Sequence, residues 1–557
     1  MDVSRELLLG DEAAAQGAID AGIGGAFSYP GTPATEIFEY VESQAQQMAA
    51  GCGISTRWSA NEKVAYEEAL GMSYAGRRAL VSMKHVGLNV AADAFMSSAV
   101  TGVNAGLVLV VGDDPGMHSS QNEQDTRFYQ EFAQLPLFEP GNQQEAYDQV
   151  FEAFEYSEAV GLPVIVRMVT RLCHSRATVE RRDEGVRSEA RRHAYARPSP
   201  SDWVLVPSHA RRRYAHLLEL QPRLERDSEQ SGYNRLSLRG RRGIITAGIA
   251  RNYVEEAFGG RTGDSTLHIG HYPLPGGLIR TLVGHCEEVL VIEEGYPFIE
   301  RRLNGVMGVP GKTIRGKLTG DLPPAGELTP DSVAWMLGAA VGSGVTGELT
   351  GLADRPPQLC RGCPHADSFR AMVEAAAGHP EAHMFSDIGC YALGVAPPFR
   401  AVHTCVDMGA SISMAHGASQ AGAHPVLCTI GDSTFAHSGM TGLLGAAHAD
   451  ANMTVIILDN ATVGMTGTQD SLLCGEALVA AVRGVGVHED HLHVIEPFPK
   501  NHEANTDLIR REMNHRGLSV IVARRPCIHI RRKGPASAQG GTCDAGAVCG
   551  CVTINAT

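Results

Sequence analysis

A glycine, an aspartate and a serine interrupt an apolar run in HPVLCTIGDSTFAHSG, at Gly431, Asp432 and Ser433. The apolar residues before them predict a strand that ends at the aspartate, and the next apolar run, MTVIILDN, ends at Asn460. Neighbouring parallel strands present their carboxyl ends at one edge of a sheet, where ligands bind. We therefore expect Asp432 and Asn460 to lie side by side.

The oxygen atoms at this edge suit a magnesium ion that carries a diphosphate. A carboxylate, an amide oxygen and a backbone carbonyl are hard ligands, and phosphate oxygens with water would complete an octahedron. Gly431 lets the backbone approach a ligand closely, and the N–H groups that open the following helix favour anions. No lysine follows the glycine, so this is not a Walker-type loop. For the Gly-Asp-Ser turn alone, an ordinary strand end is the alternative interpretation.

Two of the 13 cysteines, Cys360 and Cys363 in LCRGCPH, have a spacing that is typical of metal sites. Taken by itself, a Cys-x-x-Cys pair is compatible with half of a zinc site, with a redox dithiol or with part of an iron–sulfur cluster. Cys428 lies inside an apolar strand and is predicted to be a buried thiol.

The elements that must position these residues alternate between apolar strands and small-residue helices, which favours parallel α/β layers. Strands are predicted at residues 24–31, 78–84, 105–114, 161–169, 243–248 and 288–294. The charged, proline-containing stretch 191–238 is interpreted as a solvated linker, because it lacks the interleaved aromatic residues of a nucleic-acid-binding patch. Residues 536–557, rich in Gly, Ala and Cys, are expected to be poorly ordered.

The composition argues against several classes of partner. The formal net charge of −15 disfavours nucleic acid and anionic membrane surfaces. No run of apolar residues is long enough to span a bilayer. The first residues carry acids early and lack a basic region followed by an apolar stretch, so no signal peptide is expected and the predicted location is cytoplasmic.

The turn at Asp432 followed by Asn460 resembles the Gly-Asp-Gly and Asn signature of thiamine diphosphate enzymes, with Ser433 in place of the last glycine. The loop DNATVGMTG resembles the metal loop of the 2-oxoacid:ferredoxin oxidoreductases. Four segments, at 10–37, 61–93, 111–129 and 431–443, closely resemble the α-subunit family of indolepyruvate ferredoxin oxidoreductases; the run HSSQNEQD is the most specific part. The resemblance covers almost the whole chain, to residue 530.

This resemblance implies a multidomain α/β fold that binds thiamine diphosphate between two doubly wound parallel-sheet domains. The implied domains are a pyrimidine-binding domain at 1–190, the linker at 191–238, a smaller transketolase C-terminal-like α/β domain at 239–350, a diphosphate-binding domain at 351–535, and the tail at 536–557. It also implies that Asp432, Asn460 and the carbonyl of Thr462 hold Mg²⁺. The remaining residues that the resemblance places against the cofactor are Gly431, Ser433, Met465 and Thr466.

Two residues of the first domain acquire roles through the same resemblance. Glu62, which opens an Ala- and Gly-rich helix, is implied to hydrogen-bond the aminopyrimidine ring and promote its proton transfer. The alternative is an acid that the helix dipole favours in the first turn. Thr32, in the Tyr29–Pro33 loop, is implied to contact the substrate, or else belongs to a turn that proline stiffens.

The family also implies a [4Fe-4S] cluster held by four cysteines, which are Cys360, Cys363, Cys390 and Cys527. Zinc at the same thiolates is the main alternative, and Cys474 is a possible replacement for Cys527. Typical α subunits continue into a ferredoxin-like module. The sequence here ends with Cys543, Cys549 and Cys551, which lack the spacing of that module and are interpreted as a vestige of it, with a metal-binding tail as the alternative.

The predicted function is oxidative decarboxylation of an aryl 2-oxoacid to the aryl-acetyl-CoA, with electrons passing through the cluster to ferredoxin or another acceptor. A smaller β subunit is the expected partner, in an α2β2 assembly. A non-oxidative 2-oxoacid decarboxylase, which needs no cluster, is the alternative enzyme. A catalytically silent scaffold subunit is the alternative from another class.

Overall fold

The computed structural model describes residues 5–47, 53–183, 186, 200–260, 262–339 and 357–530. The predicted tail at 536–557, with its three cysteines, lies outside the described residues. The chain forms two compact units, Met1–Glu348 and Leu349–Thr557. No helix in the described ranges is both long enough and apolar enough to cross a membrane.

A seven-stranded sheet forms the centre of the first unit. Its strands in chain order are β2 (Gly25–Ser28), β3 (Ser55–Trp58), β4 (Ala79–Lys84), β5 (Leu107–Asp113), β6 (Leu137–Phe138), β7 (Val164–Val169) and β12 (His271–Tyr272). Their spatial order is β12-β6-β7-β5-β4-β2-β3, and every pair except β12 with β6 is parallel. The strands β4, β5 and β7 are buried throughout, as expected for Val- and Leu-rich strands covered on both faces.

The helices around this sheet are Gly10–Asp20, Thr35–Gln47, Glu62–Tyr74, His85–Thr101, Thr126–Ala133, Gln143–Val160 and Thr170–His174. Small residues let two of them approach closely. A Cβ atom on Gly17 would lie 2.4 Å from the carbonyl oxygen of Tyr147, so the first helix can pack here only because this position is glycine. A two-stranded antiparallel ribbon of β1 (Arg5–Leu9) and β8 (Arg176–Glu180) lies beside them.

The second sheet of this unit has five strands in the order β14-β13-β10-β11-β9. They are β9 (Arg235–Ser237), β10 (Arg242–Ala247), β11 (Ser265–Ile269), β13 (Glu288–Ile292) and β14 (Thr313–Arg315), and only β9 is antiparallel to its neighbour. The helices of this segment are Pro200–Trp203, Pro207–Glu229, Ala250–Ala257, Gly276–His285, Phe298–Asn304 and Pro330–Leu337.

The described part of the predicted linker, 191–238, differs from a solvated connection. Residues Pro207–Glu229 form a 23-residue helix, and β9 joins the five-stranded sheet. Leu217 and Leu224 of the helix are buried, and Tyr156 donates a hydrogen bond to Asp227 at 2.9 Å. Composition suggested a linker because most of the helix surface is charged, whereas a few buried leucines attach it to the fold.

Buried arginines connect the two sheets within the first unit. Arg167, in β7, donates to Asp113 at 2.6 Å, and Arg127 donates to Glu293 at 2.6 Å, just after β13. Asp125 contacts both guanidinium groups, and every one of these side chains is almost fully buried. A buried charge requires such pairing, so the acids of this network are expected to be structural.

The second unit contains a five-stranded, fully parallel sheet in the order β15-β16-β17-β21-β20. Its strands are β15 (His383–Ser386), β16 (Val426–Gly431), β17 (Met453–Asp459), β20 (Leu492–Ile495) and β21 (Leu518–Arg524), and a hairpin pairs β18 (Thr462–Val463) with β19 (Gln469–Asp470). The α-helices are Pro364–Ala376, Ala410–Gln420, Asp432–Thr434, Met440–His448, Gly475–Gly484 and His502–Met513. The prediction of parallel α/β layers in more than one domain is thus confirmed.

The edge strand β12 contains a histidine that should limit stability in acid. His271 is 4% exposed and its ring stacks on Phe138 at 4.3 Å between centroids. Burial lowers its pKa from the ordinary 6.5 to about 3. The unfolded chain therefore binds a proton that the folded chain does not, and stability is lost as the pH falls from 6.5 towards 3.

We expect His271→Phe to reduce this acid sensitivity, because the aromatic contact remains while the buried base is removed. The free energy of unfolding at pH 5 should rise relative to wild type by about 2 kcal/mol. Urea unfolding between pH 8 and pH 4 measures it, with the exposed His488→Phe as the control. An equal shift at every pH would show that protonation of His271 is not the cause.

Candidate active site and metal centres

Asp432 lies at the carboxyl end of β16, where it opens the short helix Asp432–Thr434. It is 2% exposed, and its two carboxylate oxygens accept the backbone N–H groups of Ser433 and Ala461, each at 2.8 Å. Burial, and then the charge of Asp459, raise the pKa of Asp432 to about 8. This carboxylate is therefore poorly compensated by the protein atoms around it, and a cation would stabilise its charged form.

Asn460 follows β17 on the neighbouring strand, as expected for adjacent parallel strands. Its amide nitrogen lies 3.2 Å from Nε2 of His365, whose pKa burial lowers to about 4. The neutral imidazole can accept from the amide, which fixes the amide oxygen on the opposite side. That oxygen accepts the N–H of Thr462 at 3.1 Å and keeps a second lone pair for another partner.

The predicted metal loop is the tight turn and hairpin that follow Asn460. Ala461 has a φ of 62°, and the Thr462 hydroxyl donates to the carbonyl of Gln469 at 2.8 Å across the hairpin. Thr466 donates to the side chain of Gln469 at 2.6 Å, whereas Met465 is 60% exposed. The hairpin thus holds the loop in place over the end of β16.

The residues at this edge fit Mg²⁺ by their chemistry. They comprise a carboxylate that accepts from two backbone N–H groups, an amide oxygen with a spare lone pair and a backbone carbonyl on a tight loop. Hard oxygen ligands of this kind, with water and phosphate, are typical of magnesium sites.

The glycine before Asp432 is also required by the protein interior. A Cβ atom on Gly431 would lie 2.7 Å from Cε1 of Tyr391. That ring is fixed because its hydroxyl donates to the carbonyl of Ile388 at 2.8 Å and to Thr434 at 3.1 Å. The sequence interpretation attributed this glycine to ligand approach, whereas tight packing against Tyr391 by itself excludes a larger residue.

The four cysteines named from the family come together in the second unit. Burial, and then the neighbouring Cys363, Cys527 and Cys360, raise the pKa of the Cys390 thiol to about 12. Cys363 and Cys360 flank one turn, in which the N–H of Cys363 donates to the carbonyl of Cys360 at 3.1 Å. Cys474, the possible substitute, is buried immediately before the helix Gly475–Gly484.

The metal loop and the four cysteines are in direct contact. A Cβ atom on Gly464 would lie 3.3 Å from Sγ of Cys390, and the N–H of Cys527 donates to the carbonyl of Asn460 at 3.0 Å. The short segment from Asn460 to Gly464 therefore contacts Asp432 at the candidate diphosphate site. The same segment also contacts two of the cysteines, Cys390 and Cys527.

Glu62 lies in the first unit, at the first position of the helix Glu62–Tyr74, which Asn61 caps by accepting the N–H of Val64 at 2.9 Å. It is 5% exposed, which is unusual for a glutamate that only complements a helix dipole. Gly87 packs directly against it, because a Cβ atom there would lie 2.6 Å from Cγ of Glu62.

Sequence analysis missed a buried lysine next to this glutamate. Lys84 ends β4, and burial lowers its pKa to about 8, against the opposing effects of Asp114 and Glu62. Its ammonium donates to the carbonyl of Ser119 at 2.6 Å, and the hydroxyl of Ser119 donates to the carbonyl of Thr32 at 3.1 Å. A lysine at the end of a mostly apolar strand was the available signal.

The run HSSQNEQD thereby acquires a structural explanation. Ser119 and Ser120 both bond Asp114, and Asp125 closes the run by pairing with Arg127. The Thr32 side chain is partly exposed beside this loop, while its carbonyl is used by Ser119.

Two segments of the chain match known family models. Residues 16–222 match the family model described as pyruvate flavodoxin/ferredoxin oxidoreductase, thiamine diphosphate-binding. Residues 387–523 match the thiamine pyrophosphate enzyme, C-terminal TPP binding domain. Among solved structures, 2-oxoglutarate:ferredoxin oxidoreductase from Magnetococcus marinus aligns over 60% of this chain and 65% of its own, with a TM-score of 0.49 and 16% identity, too limited a likeness to support an inference.

Curated relatives extend over nearly the whole sequence. The indolepyruvate oxidoreductase subunit IorA of Archaeoglobus fulgidus is 39% identical over 93% of this chain and 86% of its own length. The protein of the same name from Methanothermobacter marburgensis is 38% identical over 94% and 87%, and that of Pyrococcus abyssi is 36% identical over 95% and 86%. The chain belongs to the IorA family of indolepyruvate oxidoreductase subunits and is a thiamine diphosphate-dependent enzyme subunit.

Proposed function

We propose that this protein is the α subunit of an enzyme that oxidatively decarboxylates an aryl 2-oxoacid of the indolepyruvate or phenylpyruvate type. The acyl group is transferred to coenzyme A, and the electrons leave through a [4Fe-4S] cluster to ferredoxin or another acceptor. The observation that carries the proposal is the loop after Asn460, which contacts both the Asp432 carboxylate and the four-cysteine set. Oxidative chemistry at a diphosphate-anchored cofactor needs an electron acceptor at such a short distance.

In this proposal Asp432, Asn460 and the carbonyl of Thr462 hold Mg²⁺ at the end of β16. Ser433, Gly431, Met465 and Thr466 form the surrounding contacts with the cofactor. The diphosphate-binding role is assigned to residues 351–535 and the pyrimidine-binding role to 1–190, with a transketolase C-terminal-like domain at 239–350. The two matched family models support the first two assignments.

Bound thiamine diphosphate supplies the carbanion chemistry that cleaves the bond between the keto carbon and the carboxylate of a 2-oxoacid. Glu62 is proposed to hold a proton at its carboxyl group and to exchange it with the pyrimidine ring, for which its burial is suitable. Lys84 offers a buried, positively charged group close to the Thr32 loop. We propose that this group binds and orients the carboxylate of the substrate.

The arrangement of the thiols favours a cluster over a single zinc ion. Ligands around one zinc ion lie roughly 3.8 Å apart, as the Zn–S bond length in a tetrahedron requires. In the described ranges, the only set of three ligand-type side chains whose ligand atoms all lie within 4.8 Å is elsewhere in the chain. The described thiols of Cys360, Cys363, Cys390 and Cys527 do not form such a set, which supports a polynuclear iron–sulfur centre over a single zinc ion.

The partners of the enzyme follow from the family. The relatives are named as subunits, which supports a β subunit for this chain, and we propose an α2β2 assembly in the cytoplasm. The negative net charge and the lack of a membrane-spanning helix in the described residues are consistent with this environment.

Glu62→Gln should abolish turnover while the cofactor still binds, since the substitution removes the exchangeable acid but keeps the shape of the side chain. We expect 2-oxoacid-dependent viologen reduction to fall roughly 10²–10⁴-fold, as for the loss of a general acid or base. Thiamine diphosphate affinity, measured by calorimetry with Mg²⁺, should change little.

The matched control is Glu67→Gln on the same helix, where the half-exposed carboxylate pairs with Lys63. If the Glu62→Gln variant turned over substrate as fast as wild type, Glu62 would have no catalytic role. If no 2-oxoacid is turned over by the wild-type protein with its β subunit, the scaffold alternative gains.

Cys390→Ser should lower the content of iron and acid-labile sulfide in anaerobically purified protein and abolish viologen reduction, because the cluster loses one of its four thiolate ligands. Cys474→Ser should leave both unchanged, since that thiol lies outside the set. Metal analysis and electron paramagnetic resonance of the reduced protein give the readouts.

Zinc without iron in the wild-type protein would contradict the electron path. Release of an aldehyde from the 2-oxoacid by such a protein would establish the non-oxidative alternative instead.

A further inference from the structure

Three side chains of the first unit converge outside the candidate active site. Asp11 lies in the first turn of the helix Gly10–Asp20, Glu36 in the first turn of Thr35–Gln47, and His174 at the end of Thr170–His174. Each offers one ligand atom, and the three atoms lie within 4.8 Å of one another. The sequence interpretation assigned no role to these three residues.

The feature that points to a ligand is the isolation of Asp11. Its side chain is fully buried, and neither carboxylate oxygen has a hydrogen-bond partner among the described residues. Oε2 of Glu36 is likewise buried and without a hydrogen bond, at 3.6 Å from Nε2 of His174. The nearby Cys173 thiol is at most a weak donor. Leaving a buried carboxylate without partners is costly, and a bound cation removes that cost.

The backbone holds these groups in place independently of any ligand. The N–H of Gly10 donates to the carbonyl of Ser175 at 3.1 Å, and a Cβ atom on Gly10 would lie only 2.1 Å from the carbonyl oxygen of Leu172. The helix that carries Asp11 therefore starts directly against the turn that carries His174. Both Glu36 and His174 are partly exposed, so solvent and ions can reach the group.

The chemistry of the three ligands selects the ion. Mg²⁺ and Ca²⁺ prefer oxygen ligands throughout, whereas an imidazole with two carboxylates is typical of zinc and its neighbours in the first transition series. The carbonyl of Pro33 faces the His174 ring as a hydrogen-bond acceptor, the arrangement that commonly orients a metal-binding histidine.

We propose that Asp11, Glu36 and His174 form a binding site for a divalent transition-metal ion, with zinc as the reference ion and water in the remaining positions. The site anchors the loop that contains Thr32, because Glu36 opens the helix after that loop and Pro33 contacts His174. The anchoring role rests on the proposed function of that loop, whereas the metal site itself does not.

The test is zinc binding by the full chain after removal of metals with a chelator. Equilibrium dialysis against Zn²⁺ should show that His174→Gln and Asp11→Asn each bind one zinc ion per chain fewer than wild type. His379→Gln, which alters another exposed His–Glu pair, should bind as many as wild type. Because Cys390→Ser acts at the other metal centre, its effect should add to that of His174→Gln.

Thermal stability without metal provides a second readout. Asp11→Asn should melt no lower than wild type, since it removes an uncompensated buried charge, but should lose the rise in melting temperature that Zn²⁺ gives the wild-type protein. Unchanged zinc stoichiometry in both variants would overturn the site. So would a lower melting temperature of Asp11→Asn with no effect of zinc on wild type, which would indicate a protonated structural acid. Neither result depends on turnover, so both leave the proposed function separately testable.

Discussion

The second unit is organised around one buried carboxylate. Asp432 can remain at the end of β16 because the turn that follows the neighbouring strand β17 supplies an N–H group, that of Ala461, to its carboxylate. The parallel register of β16 with β17 makes this possible, with Gly431 opposite Leu458. After the turn at Ala461, Gly464 of the following hairpin lies against Cys390. Cys527, which follows β21, donates its N–H to the carbonyl of Asn460. The candidate diphosphate site and the cysteine set are thus two consequences of the same turn.

The first unit uses buried charge in a different way. Arg127 and Arg167 are paired with acids from both sheets, which leaves no group of this network free for chemistry. Lys84 contrasts with them, because its ammonium donates to the carbonyl and hydroxyl oxygens of Ser119 rather than to a carboxylate, and burial lowers its pKa. A cation kept without a tight ion pair is a better candidate for an anionic ligand than one that is already neutralised.

Several features of this protein could be predicted from particular residues. The strand predictions at 78–84, 105–114 and 161–169 agree with β4, β5 and β7, since continuous apolar runs bounded by small residues indicate buried parallel strands. Family resemblance named the four cysteines, and the structure brings them together, although their roles stay predictions. In the described part of the stretch 191–238, the helix Pro207–Glu229 was not predicted, because a helix that buries only two leucines has the composition of a linker.

By itself the sequence determined what depends on local order: the alternation of strands and helices, the positions at strand ends and the residue types that can bind metals and phosphate. Tertiary structure decided which of these residues are buried and which meet. The tight packing of Gly431 on Tyr391, the desolvated Lys84 and the unpartnered Asp11 arise from contacts between segments far apart in the chain. Burial depends on what covers a side chain, and hydrogen-bond partners depend on which loops arrive beside it, so neither can be read from neighbouring letters.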